Sequence, residues 1–181
     1  MTVIFANWGD IDSQVSQRAW SNLSCKIVEI TPNCVNWESV VDDAIANEDD
    51  TLIFCGHGST HGLFFPSYRY DTYILHENNV NLIHAKNVIC IWCYASTFCE
   101  VHNLHSFSTS MFISNVNEAM ENGYLSVTQD DINKVGEIFY DNVNNLLSAD
   151  IPLSEWVMIL GAKMNVEDPI DTFNRQGLLY I

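Results

Sequence analysis

Leu52-Ile53-Phe54-Cys55, running into Gly56-His57-Gly58, and Val88-Ile89-Cys90-Ile91-Trp92, running into Cys93-Tyr94-Ala95-Ser96, are the two stretches around which the chain is organised. Each is an apolar run of strand length that stops at a polar or glycine-rich break, the pattern of a buried strand. A histidine therefore leaves the end of one strand and a cysteine leaves the end of the next. Side chains at strand ends on a rigid sheet are well placed for chemistry. A thiol acts as a nucleophile in its thiolate form, and imidazole is the usual base that takes its proton. His57 and Cys93 are thus a candidate catalytic dyad, provided that their strands pair in a parallel sheet. The segment between them is long enough for the crossover this needs. Gly56 and Gly58 allow positive φ or close approach of a ligand around His57. The backbone N–H groups of Gly58 and Cys93 are candidates for an oxyanion hole.

Outward from these stretches the pattern repeats. Val3 to Ala6 reads as a strand, broken at Trp8-Gly9-Asp10. Ile11, Val15, Ala19 and Leu23 recur at the spacing of a helix face. Lys26 to Ile30 is a second strand, and Trp37, Val40, Val41, Ala44 and Ile45 mark a second helix. Alternating strands and helices imply right-handed crossovers and a mostly parallel sheet. Residues 62–79 interrupt the rhythm and read as a small β excursion, followed by a short helix over 79–85. Residues 97–109 read as irregular or partly helical, 111–113 as a fifth strand and 117–122 as a short helix ended by Gly123. Thr128 with Asp131 resembles a capping box. It opens a long helix whose apolar face is Ile132, Val135, Phe139, Val143, Leu146 and Leu147. Pro152 starts another helix, and 178–181 is the expected sixth strand. With no repeat, low-complexity tract or linker, residues 1–181 read as one domain.

Composition narrows the function classes. The apolar fraction is 48% and aromatic residues are plentiful, so the chain is globular. No apolar run reaches the roughly 18 residues a membrane span needs. The start of the chain reads as a strand, without the pattern of a signal peptide. Three of the six cysteines (Cys55, Cys90, Cys93) lie in or at the ends of strands, so reduced thiols and a cytoplasmic location are expected. With 7 basic and 23 acidic residues the net charge is −16, which argues against a nucleic-acid partner and favours basic partners.

Other chemistries find less support. His57 and His61 have the spacing of metal ligands on a helix, but three glycines among neighbouring positions argue against a helix there. Cys99, His102 and His105, with Cys93, are a candidate zinc set of non-standard spacing. Cys55 and Cys90 read as core residues. No arginine follows Cys93 in a phosphate-binding loop, and no Walker or dinucleotide glycine motif is present.

An apolar strand ending in His-Gly, followed by a second apolar strand ending in Cys, resembles the caspase-fold cysteine peptidases, the group of caspases, clostripain, gingipain, legumain and CHAT-domain proteases. Residues 52–58 and 88–96 match both halves in the right order. The later pattern is similar to CHAT domains: 110–114, then Glu137-Ile138-Phe139-Tyr140, then a helix over 152–164. The resemblance covers most of the chain. It implies an α/β fold, a caspase-like three-layer sandwich with a mostly parallel six-stranded sheet and helices on both faces. It implies a cysteine endopeptidase with His57 as base, Cys93 as nucleophile and the Gly58 N–H binding the oxyanion, and no cofactor. Trp92 and Tyr94 depart from the pattern, since relatives often carry a small residue before the cysteine.

The substrate class implied is a protein or peptide. A caspase-like pocket for Asp needs an arginine, and Arg69 in the excursion is the candidate. The acidic chain instead favours a basic P1 residue by charge complementarity. His61, Trp92, Tyr94 and Ser96 are the other residues expected to line the cleft. Self-processing is expected at exposed segments, 66–79 or 115–128. An inactive module of the same fold, working by binding, is the alternative.

Overall fold

The strands form where β-branched and aromatic residues cluster, and the helices where apolar residues recur every three or four positions. The computed structural model describes residues 1–67 and 69–181. In chain order it contains β1 (Thr2–Ala6), α1 (Ile11–Ser16) continued by a 3-10 turn (Gln17–Trp20), β2 (Lys26–Ile30), α2 (Trp37–Ala46) and β3 (Thr51–Cys55). Then follow β4 (Gly58–Ser59), β5 (Gly62–Phe64), β6 (Tyr73–Leu75), β7 (Asn87–Ile91) and α3 (Ala95–Val101). The chain closes with β8 (Phe107–Thr109), α4 (Val116–Glu121), α5 (Gln129–Ser148), α6 (Leu153–Lys163), α7 (Pro169–Gln176) and β9 (Leu178–Tyr180).

The main sheet has six strands among the described residues, in the order β2-β1-β3-β7-β8-β9. The first five are parallel, and β9 runs antiparallel to β8. Side chains alternate between two cores, one on each face of the sheet. Ile4, Leu52, Phe54, Val88 and Cys90 pack with Val41 and Ile45 of α2 and Phe98 of α3. Val3, Phe5, Ile53, Ile89 and Ile91 pack with Phe139 and Val143 of α5 and Trp156 of α6. Burial on both faces explains why β1, β3 and β7 read as unbroken apolar runs rather than alternating ones.

The excursion is a small antiparallel sheet of β4, β5 and β6. Its expected extent includes Tyr68, which lies outside the described residues. The Thr128–Asp131 capping box is present: the Asp131 carboxylate accepts from both the N–H and the hydroxyl of Thr128, and Thr128 caps α5. The terminal strand is present as β9.

Three expectations need correction, and one helix lies outside them. The fifth strand is not 111–113 but β8, whose Phe107, Ser108 and Thr109 are all fully buried. Serine and threonine disguised a core strand. At 113 the backbone is held by a side chain instead: Asn174 Oδ1 accepts from Ile113 N–H at 2.7 Å, and Asn174 Nδ2 donates to its carbonyl at 3.1 Å. The short helix over 79–85 is only a 3-10 turn, Val80–Leu82. The first helix face ends before Leu23, since α1 passes into the 3-10 turn. Helix α7 was not anticipated, although Asp168 caps it by accepting from Ile170 and Asp171 N–H and Pro169 opens it.

Candidate active site at the strand ends

β3 and β7 are adjacent and parallel, with Cys55 opposite Ile91. Their carboxyl ends therefore release His57 and Cys93 on the same edge of the sheet. Gly56 follows β3 with φ +149°, and a Cβ there would meet that of Ala6 at 2.7 Å. Glycine is thus required for the chain to turn close over β1 and present His57. The His57 carbonyl accepts from Phe64 N–H at 2.9 Å, which ties the turn to β5.

Cys93 occupies a tight strand-to-helix turn. Thr109 Oγ1 donates to the Trp92 carbonyl at 2.9 Å, Tyr94 N–H donates to Ser110 O at 3.1 Å, and Tyr94 takes a left-handed φ of +68°. Such backbone strain in a non-glycine residue is held only where the surroundings over-determine it. The Cys93 thiol donates toward the Phe112 carbonyl at 3.5 Å. Burial pushes the thiol up to about 12, with the negative charges of Glu118 and Asp12 adding to it.

Because β1 lies on the other side of β3, its carboxyl end joins the same edge. There Asp10 caps α1 by accepting from Ser13 N–H at 2.8 Å, and its other oxygen meets His57 Nε2 at 2.8 Å. Burial pulls the Asp10 carboxyl up, but hydrogen bonds from His57 and Ser13 outweigh it and hold it at about 2. A carboxylate only accepts, so Nε2 carries the proton, and in neutral His57 the lone pair sits on Nδ1. Burial pulls the His57 imidazolium down, but the Asp10 hydrogen bond and the charges of Asp10, Asp12 and Glu118 prevail, so it titrates above the ordinary value. Trp8 lies edge-on to the imidazole, with ring centroids 5.4 Å apart.

Asp12 stands 4.0 Å from His57 Nε2. Burial raises its carboxyl to about 6 against the hydrogen bond from Ser114, with Asp10 and Glu118 adding to the rise. Ser114 Oγ lies 2.8 Å from Asp12 and 3.1 Å from Glu118, linking the two acids. None of these acids stood out in the sequence. Asp10 carried a signal, as a polar break after a strand, but pairing it with His57 required knowing that β1 neighbours β3.

His57, Gly58 and Cys93 line one groove of about 740 Å³. Its walls carry Trp8, Phe64, Tyr70 and Tyr94, and Asp10, Asp12, Glu118 and Glu121. Among the described residues no lysine or arginine lines it. His57 and Cys93 also border a small cavity of about 30 Å³ with Cys55 and Tyr140, room for a single water.

Of the other predicted cleft residues only Tyr94 lines the groove. Trp92 is 2% exposed, lies under Gly58 and donates from Nε1 to Ser59 O at 3.1 Å. Ser96 is buried in the first turn of α3. Arg69 is exposed and outside the groove, although its neighbour Tyr70 lines it. His61 lines a separate groove of about 1090 Å³ with His76 and His102. The zinc set is not assembled: among the described residues, the one group of three or more potential ligands with donor atoms within 4.8 Å of one another is Asp10, Asp12 and His57. Cys99 is buried in the core, the His102 ring lies 4.5 Å from that of Phe98, and His105 Nδ1 lies 3.3 Å from the Ile181 carbonyl.

Comparison with known proteins gives no match to a family model, a curated protein or a solved structure.

Proposed function

We propose that the chain is a cysteine endopeptidase with a caspase-like three-layer sandwich, a single peptidase domain over 1–181 similar to CHAT-domain and clostripain-like proteases. The observation that carries the reading is that His57 and Cys93 leave the carboxyl ends of adjacent parallel strands and line one groove. Asp10 completes the constellation by fixing the imidazole tautomer.

The reaction follows from that arrangement and uses no cofactor. His57 Nδ1 takes the Cys93 proton as Sγ attacks the peptide carbonyl carbon. This reading assigns the oxyanion to the Gly58 and Cys93 N–H groups. His57 returns the proton to the leaving amine as the C–N bond breaks, leaving a thioester. Water, deprotonated by the same imidazole, hydrolyses the thioester and restores the thiol. The acidic groove supports a protein or peptide substrate with a basic P1 residue, in preference to an Asp-P1 pocket built on Arg69. With a basic P1 residue, self-processing falls on the excursion, where Arg69 is exposed, since residues 115–128 carry no lysine or arginine. A cytoplasmic setting fits six free cysteines, and among the described residues no helix is long and apolar enough to cross a membrane.

One observation favours a second reading, an inactive module that works by binding. The Cys93 thiol is pushed to about 12, so in this arrangement it stays protonated. A peptide-like acylating probe with a basic P1 group separates the two. The peptidase reading expects Cys93 labelling that is lost in Cys93→Ala and in His57→Ala. Labelling no faster than that of a bystander thiol, with basic and Asp-P1 probes alike, would favour the binding module.

A further inference from the structure

Asp10 Oδ2 and Asp12 Oδ2 lie 2.8 and 4.0 Å from His57 Nε2, and the three residues' donor atoms all fall within 4.8 Å of one another. Bonds of about 2.1 Å place the donors of a tetrahedral zinc-sized ion about 3.4 Å apart, and those of an octahedral one about 3 Å apart for neighbours and about 4 Å for opposites. The 2.8 and 4.0 Å spacings from His57 Nε2 fall on either side of the tetrahedral value. The set also mixes an imidazole with two carboxylates, which suits Zn²⁺ or Mn²⁺ better than Mg²⁺ or Ca²⁺.

The donors are supported from outside the cluster, as metal ligands usually are. Ser13 N–H holds Asp10, Ser114 Oγ holds Asp12, and the Trp8 ring edges the imidazole. Glu118 stands behind Ser114 as a further carboxylate. The open groove supplies an entry path, and among the described residues no lysine or arginine lines it to compensate these acids.

We infer that Asp10, Asp12 and His57 bind a borderline divalent cation of the Zn²⁺ type, and that the bound ion holds the His57–Cys93 pair inactive. The second half rests on the peptidase reading. Imidazole that coordinates through Nε2 keeps its remaining proton on Nδ1, so it has no lone pair to accept the Cys93 proton. Binding to imidazolium therefore releases one proton to solvent and replaces the Nε2–H···Asp10 bond by an Nε2–metal bond. Removal of the ion returns a proton to Nε2, which again donates to Asp10, and Nδ1 becomes the base once its own proton has passed to solvent.

The test is calorimetric titration of the full chain, stripped with EDTA and dialysed, with ZnCl₂. One equivalent is expected to bind, at least tenfold more weakly in Asp12→Asn and in His57→Gln, and unchanged in His61→Gln and His102→Gln. In the wild-type chain the imidazole NMR signals of His57, and not those of the other histidines, are expected to shift on Zn²⁺ addition, which does not depend on any variant folding. Absence of saturable binding, equal affinity in a folded His57→Gln, or an unmoved His57 signal overturns the site. Zn²⁺ is also expected to slow probe labelling of Cys93 at least tenfold, reversibly with EDTA; binding without slowing overturns the inhibitory role. Labelling that ignores His57 even in EDTA defeats the peptidase reading while the cation site stands on the titration. His57-dependent labelling in a chain that binds no Zn²⁺ does the reverse.

Discussion

Gly58 lies flat against Trp92: a Cβ on Gly58 would fall 2.2 Å from the indole Cδ1. The loop that carries His57 thus rests on the residue that precedes Cys93. The Trp92 Nε1–H bond to Ser59 O, 3.1 Å long, fastens the same contact. A bulky residue beside the cysteine therefore acts as a spacer between the two strand ends.

Gly58→Ala must push that contact apart, because the atoms in the way also include the Gly62 carbonyl at 2.6 Å. Overpacking of this kind costs about 1–3 kcal/mol. Denaturant unfolding is expected to show a loss of that size, together with loss of His57-dependent labelling at Cys93. Wild-type stability with wild-type labelling would mean that the loop does not need this seat.

Asp10→Asn removes the acceptor that holds His57 above its ordinary value, so the imidazole is expected to titrate lower, as read by NMR in chelator-treated protein. The stability term has a defined window. Asp10, lowered from 3.8 to about 2, stabilises above its ordinary value and loses this as pH falls toward 2. His57, raised from 6.5, stabilises below its ordinary value and loses this as pH rises through the folded one. The loss in Asp10→Asn is therefore greatest between about pH 4 and 6.5. With Asp10 41% exposed, water screens the pair, and the loss is expected to be about 1 kcal/mol or less. A loss that stays constant from pH 3 to 9 would contradict the pairing.

Cys93 alkylation by iodoacetamide is expected to keep rising with pH beyond 9, because burial holds the thiol near 12. Glu118→Gln removes the neighbouring charge that adds to this and is expected to speed the reaction at pH 8. The rate is read from the Cys93 peptide by mass spectrometry. A plateau near neutral pH would show a thiolate already formed without substrate, and would remove the support for an inactive module.

Asp171 is 2% exposed, and among the described residues its Oδ1 has no partner. Burial raises its carboxyl above 3.8 despite the Asn165 N–H bond, with Asp168 adding to the rise. A raised acid contributes stability below its ordinary value and loses it as pH rises through the folded one. Asp171→Asn is therefore expected to compare more favourably with wild type at pH 7 than at pH 3.5 in thermal unfolding. Equal differences at the two pH values would mean that the carboxylate is not penalised.

Local rules made much of this architecture readable. β1, β2, β3 and β7 appear as apolar runs, and the box at Thr128 and Asp131 marks the start of α5 where it occurs. β8 does not read as a strand because Ser108 and Thr109 are polar by composition, yet they lie in the core, Ser108 opposite Cys90 and Thr109 bonded to the Trp92 carbonyl. Helix α7 has its own local signal, Asp168 as cap and Pro169 in the first turn.

By itself the sequence determined that a histidine and a cysteine end two buried strands, that glycines surround the histidine, and that the chain is strongly acidic. These follow from residue type and spacing along the chain. Only the tertiary structure decided that β1 and β7 flank β3, which brings Asp10 and Asp12 to His57 and puts Cys93 in the same groove. It also decided the protonation of the site, since desolvation and neighbouring charge set it, and both depend on what the fold packs around each group.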